Sequence, residues 1–377
     1  MPDYAQPAGF RALLAAATLL VLLAFGLAPS PAAAQTAGIS IVNGKPSKIT
    51  DSPWQVAIGF AEQPGRQSSP RSRFFCGGSL ITPELVITAA HCVADLNRSE
   101  VKQVEIISGR TRLNNTAQGT VVRARKSILP LRPNGKRRYG NSRGGASWDV
   151  GLIRLDSPLA GATIKLAGQD EADSWSPGQV VTTTGWGITS GFARKASPVL
   201  RSANQVVLPD RTCRRYDSSG YEVRTMNCIG GPAGNTSTCS GDSGGPLVAS
   251  SGAEVRLVGL TSFGDVFCNT KLPSVDTRVS GTPIRKWVRS TALKISGIDV
   301  VGSGMTSTPA RAWCSVPGIQ GLRVKAARNK LKVSGCRLGR VKLASWGNGR
   351  NRRVLQTSYF PGWLAPAGTA INVLATR

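Results

Sequence analysis

The sequence predicts an all-β fold over most of its 377 residues, for three reasons. Short runs rich in Val, Ile, Leu and Thr recur between clusters of Gly, Pro, Ser and Asn, which is typical of strands joined by turns. The chain contains 43 Gly and 23 Pro, which suits a loop-rich protein and excludes a coiled coil. No apolar pattern with helical spacing competes before residue 282. The clearest strand candidates are Trp54–Phe60, Ser79–Ile81, Glu84–Thr88, Val104–Ser108, Val150–Leu155, Val180–Thr184 and Leu257–Thr261.

The N-terminus has the pattern of an export signal. Residues 12–28 form a nearly unbroken apolar run, which Arg11 precedes and the small-residue sequence Ala32-Ala33-Ala34-Gln35 follows. The run is shorter than the roughly 20 residues that cross a bilayer, so a signal peptide over residues 1–34 is favoured over an uncleaved membrane anchor. A secreted or periplasmic location then follows, where the eight cysteines can form disulfides rather than bind metal.

After residue 282 the pattern changes. Thr282-Pro283 supplies a helix N-cap and a first-turn proline, which predicts a short helix through about Thr291. Residues 294–309 are predicted to form a linker, because this stretch contains a cluster of Gly, Ser and Thr. Residues 310–377 are predicted to form a small, β-rich basic domain, with 13 Lys or Arg and no Asp or Glu.

Two segments of this basic domain alternate at period two, namely Leu322–Ala326 and Lys330–Val333. The alternation predicts a β-hairpin with one apolar face and one cationic face. The whole chain carries a net charge of +27, which favours anionic partners. We expect the basic domain to bind an anionic cell-envelope polymer or a membrane surface. The alternative is a small disulfide-linked domain that is basic only because the whole protein is. The hairpin's cationic face would present Arg323, Lys325, Lys330 and Lys332.

Three short strings contain chemically reactive side chains. They supply an imidazole from His91, a carboxylate from Asp149 and a hydroxyl from Ser243 in a glycine-rich turn. Serine is a weak nucleophile that needs a base, and the base needs a carboxylate to orient it. His91 is the only histidine in the chain, which argues against an incidental role. The strings are Thr88–Cys92, Trp148–Leu152 and Gly241–Pro246.

These strings resemble the chymotrypsin/trypsin family of serine proteases. The resemblance covers about residues 41–291, and it implies two six-stranded antiparallel β-barrels with the active site between them. Further segments that carry it are Ile41–Gly44, Ser52–Val56, Gly185–Gly187 and Thr261–Gly264.

The resemblance implies a role for each member of the triad. Ser243 attacks the scissile carbonyl, and His91 takes the serine proton and later returns it to the leaving amine. Asp149 holds His91 in the productive tautomer. The expected activity is therefore that of a serine endopeptidase, which forms an acyl-enzyme and acts on protein or peptide substrates.

The same resemblance implies further groups around the triad. The N–H groups of Gly241 and Ser243 would form the oxyanion hole. The segment Ser262, Phe263 and Gly264 would pair with the substrate backbone as an added strand.

The cysteines can be paired only with help from the resemblance, because eight cysteines allow 105 connectivities. One implied disulfide holds the loop of His91, and another braces the specificity pocket. The implied pairs are Cys76–Cys92, Cys213–Cys228 and Cys239–Cys268, which leaves Cys314–Cys336 for the basic domain.

The resemblance also implies activation by cleavage before Ile41. The new ammonium group would pair with Asp242, because an unpaired buried charge is costly. The preceding residue is Ser40, where many zymogens of the family have Lys or Arg, so an activator of tryptic specificity is not expected. We predict a propeptide over residues 35–40, cleaved after Ser40, with self-processing as one route.

Three residues set the expected specificity. Ser237 maps to the pocket floor, where tryptic enzymes have an Asp that pairs with Lys or Arg. A serine cannot supply that charge. Gly264 and Ser274 map to the pocket walls, and the side chain of Ser274 would narrow the base. Small to medium uncharged P1 residues are therefore expected.

Two other functions remain open on the sequence. One is a catalytically idle protein that keeps the protease fold and binds through its basic domain. In the other, the basic domain carries the main function and the protease serves maturation. We expect a monomer with no metal and no organic cofactor. The calcium loop of the family is not evident, because Glu105 has no clear carboxylate partner nearby.

Overall fold

The computed structural model describes residues 41–140, 146–217, 220–231, 234–251, 253–304, 313–345, 352–359, 361 and 364–376. The predicted signal peptide and propeptide, residues 1–40, lie outside the described residues, and so does the end of the predicted linker. The described residues belong to one compact unit.

The first barrel is closed by six antiparallel strands in the order β1-β2-β3-β6-β5-β4. Its interior contains Val56, Ile58, Leu80, Ile106 and Ile153, all of them almost fully buried. Side chains of this kind suit a half-buried pleated surface. The strands are β1 Gln55–Phe60, β2 Phe74–Thr82, β3 Leu85–Thr88, β4 Val104–Ser108, β5 Thr120–Ile128 and β6 Gly151–Leu155.

The second barrel also closes, because its strands pair in the ring β7-β8-β9-β12-β11-β10 and β10 returns to β7. Two short strands extend this sheet: Lys45–Pro46 pairs with β8, and Lys165–Leu166 pairs with β11. The expectation of two six-stranded antiparallel barrels is confirmed. The strands are β7 Val180–Gly185, β8 Arg201–Val207, β9 Met226–Gly230, β10 Pro246–Ser251, β11 Glu254–Phe263 and β12 Ser274–Thr277.

The two barrels share a hydrophobic cluster. Ile87 and Leu152 from the first barrel contact Leu257 and Leu260 from the second, and Val288 of a helix packs on them. Burial of side chains of this size contributes roughly 1.5–3 kcal/mol each. The two barrels are therefore packed together through apolar side chains.

Helices are few. The predicted helix after residue 282 is present but longer than expected: it spans Thr282–Ser296, and its N-cap is Gly281 rather than Thr282. It continues because Ala292 and Ile295 still face the core, and it ends at Gly297, whose φ of 67° suits glycine. In chain order the α-helices are α1 Pro70–Arg73, α2 Arg98–Val101, α3 Asp210–Tyr216, α4 Thr282–Ser296 and α5 Val324–Val333. The 3₁₀ helices are Ile49–Asp51, Ala90–Cys92 and Gln169–Trp175. No helix among the described residues is long and apolar enough to cross a membrane.

The basic C-terminal region is β-rich, as predicted, with a two-stranded and a three-stranded sheet around α5. β13 pairs with β16, and β17 lies between β14 and β15. The strands are β13 Trp313–Ser315, β14 Arg337–Leu343, β15 Val354–Thr357, β16 Leu364–Pro366 and β17 Ala370–Ala375.

The predicted hairpin over residues 322–333 is wrong, because these residues form helix α5. Val324, Ala327 and Leu331 recur at helical spacing, and Ala327 and Leu331 are fully buried. Val333, which the hairpin would have placed on the same face as Leu331, is 89% exposed. The period-two alternation was too short to outweigh the apolar stripe of Val324, Ala327 and Leu331. Most of the residues between them are also good helix formers.

One hydrophobic cluster joins the C-terminal region to the second barrel. It contains Val206 and Val275 of the barrel together with Ile319, Leu331 and Ile371 of the C-terminal region. The region therefore packs on the barrel through apolar side chains.

The described cysteines form the four expected disulfides: Cys76–Cys92, Cys213–Cys228, Cys239–Cys268 and Cys314–Cys336.

Two substitutions in α5 separate the helix from the predicted hairpin. Leu331→Ala should lower the free energy of unfolding by about 2–5 kcal/mol, because it leaves a cavity in the shared cluster. Val333→Ala should change it by less than about 0.5 kcal/mol, because this side chain is exposed. Urea denaturation measures both. Similar losses for the two variants would contradict the helix.

Candidate active site

His91 and Asp149 meet because two paired strands end beside each other. Thr88 at the end of β3 lies opposite Gly151 at the start of β6. His91 follows on the 3₁₀ helix Ala90–Cys92, and Asp149 lies two residues before β6. The disulfide to Cys92 holds this turn against β2.

The Asp149 carboxylate is fully buried and accepts three hydrogen bonds. His91 donates from its backbone N–H at 2.9 Å, and its Nδ1 lies 2.8 Å from Oδ2. The hydroxyl of Ser262 on β11 donates to Oδ2 at 2.5 Å. Thr277 on β12 donates to the Asp149 carbonyl at 2.7 Å. Asp149 therefore accepts hydrogen bonds from residues of both barrels.

The surroundings of His91 raise its pKa above the ordinary value of 6.5. Burial alone would lower it, but the hydrogen bond to Asp149 and the negative charge of Asp149 together have the larger effect. The imidazolium form is therefore stabilised by its partner. A ring held in this way can take up a proton as a general base.

Ser243 lies in the turn before β10, close to the loop of His91. Its carbonyl accepts a hydrogen bond from Gly77 N–H of β2 at 2.8 Å, and the Sγ of Cys92 lies 3.8 Å from the same oxygen. Gly244 has a φ of 72°, and a Cβ there would lie 2.1 Å from the Thr88 hydroxyl. Only glycine allows this close approach.

The turn leaves two amide groups unused. Within the described part of the chain, the N–H groups of Gly241 and Ser243 donate to no acceptor, whereas Asp242 N–H donates to Cys239 and Gly244 N–H donates to Thr261. Gly241 has a φ of 93°, a backbone conformation that glycine adopts readily. Free N–H groups on both sides of Asp242 are an arrangement that can bind an oxyanion.

Asp242 is a second buried carboxylate. It accepts hydrogen bonds from the N–H groups of Gly187 at 2.9 Å and Cys239 at 3.0 Å. Burial raises its pKa to about 7 despite these bonds. Ile41 is fully buried, and the next residue, Val42, forms a bridge with Ser237, five residues before Asp242.

A cavity of about 200 Å³ opens beside Ser243. Its lining includes Ser262, Phe263 and Gly264, the three residues expected to pair with substrate. Ser237, the expected floor, is buried directly before the lining residue Thr238. The expected wall residue Ser274 packs beside Gly264, where an added Cβ would lie 3.3 Å from the Ser274 Cβ.

Asp276 is a buried carboxyl that the sequence analysis missed. Within the described residues neither of its oxygens has a hydrogen-bond partner, and burial raises its pKa to about 7. It lies opposite Thr261 of β11 and Asn227 of β9, so the three polar side chains share one face of the sheet. Thr261 also lines the cavity. The strand β12, Ser274–Thr277, contains only one apolar residue, so its sequence does not mark Asp276 as buried.

An exposed aromatic pair was also missed. Phe192 and Phe267 are 84% and 61% exposed, and their ring centroids lie 5.9 Å apart. Val266, which lines the cavity, is also exposed. These residues form an apolar rim beside the cavity.

One group of metal-binding side-chain types occurs among the described residues, namely Cys76, His91 and Cys92. The two sulfurs are bonded to each other, so neither is available as a thiolate ligand. The group therefore consists of one disulfide and one imidazole, not of three metal ligands.

Comparison with known proteins agrees with this geometry. The family model described as Trypsin matches residues 41–288. The chain belongs to the trypsin family. One similar relative is a protein named Trypsin from Saccharopolyspora erythraea, which is 33% identical over 239 residues, or 63% of this chain and 93% of that protein. The trypsin-family match takes in both barrels and ends before the basic C-terminal region, and it identifies the domain as one of the serine proteases.

Replacement of Asp276 by Asn should change how stability depends on pH. The folded chain holds the Asp276 proton up to about pH 7, whereas the unfolded chain releases it near the ordinary value of 3.8. Stability is therefore lost as pH rises between these values, by about 1.4 kcal/mol per unit. Asp276→Asn removes this loss. The free energy of unfolding of the variant minus that of the wild type should therefore be about 3 kcal/mol higher at pH 8 than at pH 5.

Urea denaturation at the two pH values tests this expectation. Asp173→Asn removes the same charge from an exposed position and serves as the control. Equal effects of pH on both variants would show that burial of Asp276 does not shift its titration.

Proposed function

We propose that this protein is an exported serine endopeptidase whose catalytic residues are Ser243, His91 and Asp149. The Ser243 hydroxyl adds to the scissile carbonyl as its proton passes to Nε2 of His91. The C–N bond then breaks, and the leaving amine takes that proton. Water attacks the resulting ester with His91 again as base, which releases the acid and restores Ser243.

The observation that carries this proposal is the bond between His91 and the buried Asp149. Because Nδ1 faces the carboxylate at 2.8 Å, the other ring nitrogen is the one available as a base. The free N–H groups of Gly241 and Ser243 support an oxyanion hole at the same turn. The charge that develops on the carbonyl oxygen would be stabilised there.

Export and activation form the next part of the proposal. The signal-like N-terminus and the four disulfides support an extracellular or periplasmic location. Asp242 supports activation by cleavage after Ser40, because among the described residues its buried carboxylate accepts hydrogen bonds from backbone amides alone. An ammonium group on Ile41, if it paired with Asp242, would lower the pKa of Asp242 and stabilise the active turn.

The proposed P1 preference is for small to medium uncharged side chains. It is supported by the absence of a carboxylate at Ser237 and by Ser274, whose side chain packs against Gly264. The cavity volume of about 200 Å³ suits a side chain of modest size.

A second role is proposed for the C-terminal region, which is binding of an anionic polymer or membrane surface. A cavity of about 840 Å³ on its three-stranded sheet is lined by Arg337, Arg340 and Lys342. This observation favours a binding function that would persist even if the barrels were catalytically idle. The helix α5 adds further cations near this sheet.

Labelling with a fluorophosphonate probe tests the enzyme proposal. The chain expressed with Ile41 as its first residue should form an adduct on Ser243, located by mass spectrometry. His91→Ala should lower the labelling rate by at least about a thousandfold, because the serine loses its base. A folded sample that forms no adduct would contradict the proposal and favour the idle binding protein.

A peptide library with varied P1 residues tests the specificity proposal. Cleavage should occur after small to medium uncharged residues, because no charge is available at the position of Ser237. Cleavage confined to Lys and Arg would contradict it. Asp276→Asn would then show whether that buried carboxyl supplies the charge.

A further inference from the structure

Two cavities adjoin on the outside of the first barrel, away from the catalytic residues. One, of about 530 Å³, lies between α2 and strands β5 and β6; the other, of about 440 Å³, lies between the same strands and α4. Both are lined by Lys126 and Arg154, so they adjoin and can be considered as one groove. We call it the basic groove. Its cations are Arg98, Lys102, Arg125, Lys126, Arg154 and Lys294.

A β-bulge gathers these charges. Ala124 pairs with Leu155 and Lys126 pairs with Arg154, so Arg125 is an extra residue on β5. Successive strand residues normally point to opposite faces, but a bulge redirects one of them. Arg125 and Lys126 consequently line the same cavity.

Most cations of the basic groove have no ion-pair partner among the described residues. Lys126 lies directly opposite Arg154, and like charges in that position are destabilising. Among the described residues, Arg154 alone of the six forms an ion pair, with Glu84 at 3.4 Å. The Nε of Arg154 is buried and has no hydrogen-bond partner there. An arrangement that costs stability and leaves donors unused points to an anionic ligand.

The lining also indicates which kind of anion would fit. The cations are spread over two helices and two strands, which suits repeated anionic groups better than a single one. Arginine and lysine bind phosphate and sulfate oxygens well. Proteins that bind single-stranded nucleic acid combine a cationic groove with aromatic side chains on which the bases stack, and no aromatic side chain lines either cavity. We propose that the basic groove binds a linear polyanion that carries phosphate or sulfate groups and no bases.

Lysine footprinting of the full chain tests this proposal. Inorganic polyphosphate and heparin serve as phosphate and sulfate probes, at about 0.15 M salt. Either polymer should protect Lys102, Lys126 and Lys294 from acetylation. The exposed control lysines Lys45, Lys48 and Lys195, which line neither cavity, should stay reactive. Lys342 in the same samples reports separately on the C-terminal surface.

Matched triple variants make the test quantitative. Lys102→Ala/Lys126→Ala/Lys294→Ala should weaken binding of the protecting polymer by about tenfold or more, and should flatten the slope of log Kd against log salt by about 3. Alanine at the three control lysines removes the same charge, but it should change the affinity and the salt slope much less. Thermal unfolding checks that both variants fold.

Three results would overturn the proposal. One is equal loss of affinity in the two variants, which would mean binding to net charge alone. Another is no protection of the groove lysines by either polymer. The third is tighter binding of single-stranded DNA than of either polymer at the same salt, which would assign the groove to nucleic acid. Protection by only one polymer would identify its anionic group.

Discussion

The arrangement of both barrels around the site depends on one buried charge. Asp149 has no exposure to solvent, so its carboxylate needs donors from the protein. The first barrel supplies His91 and the second supplies Ser262, while Thr277 of the second barrel donates to the backbone carbonyl of Asp149. Satisfying this charge therefore fixes how the barrels meet and places the imidazole beside the turn of Ser243. Loss of one donor would leave a buried charge less well paired, which is costly.

The C-terminal region supports the substrate side of the site. Its core is continuous with that of the second barrel, and Phe263 of the segment proposed to bind substrate packs against the shared cluster together with Tyr359. Lys271, in the loop after the cavity, lies 5.3 Å from the Tyr359 ring centroid. The basic region is thus also a structural support for the wall of the cavity. Asp276 follows Val275 of the shared cluster on β12, and its carboxyl has no hydrogen-bond partner among the described residues.

Much of the catalytic domain could be predicted because its short motifs carry specific chemistry and match a family. The strings around His91, Asp149 and Ser243 indicated the candidate site, and the resemblance supplied two barrels and three disulfides, which left one pair of cysteines for the fourth. The residues of helix α5 were predicted wrongly as a hairpin, because alternating segments of five and four residues are too short to separate a strand from a helix. Asp276 and the basic groove could not be found from sequence, since both depend on cross-strand register and on a bulge.

The state of His91 in solution tests the central claim most directly. It is the only histidine, so ¹⁵N-histidine labelling gives a single pair of ring signals to follow against pH by NMR. The bond to Asp149 predicts a pKa above 6.5 in the wild type and a lower value in Asp149→Asn, because burial alone then acts on the ring. A wild-type pKa at or below 6.5, unchanged in Asp149→Asn, would contradict the claim that this buried carboxylate holds the catalytic imidazole.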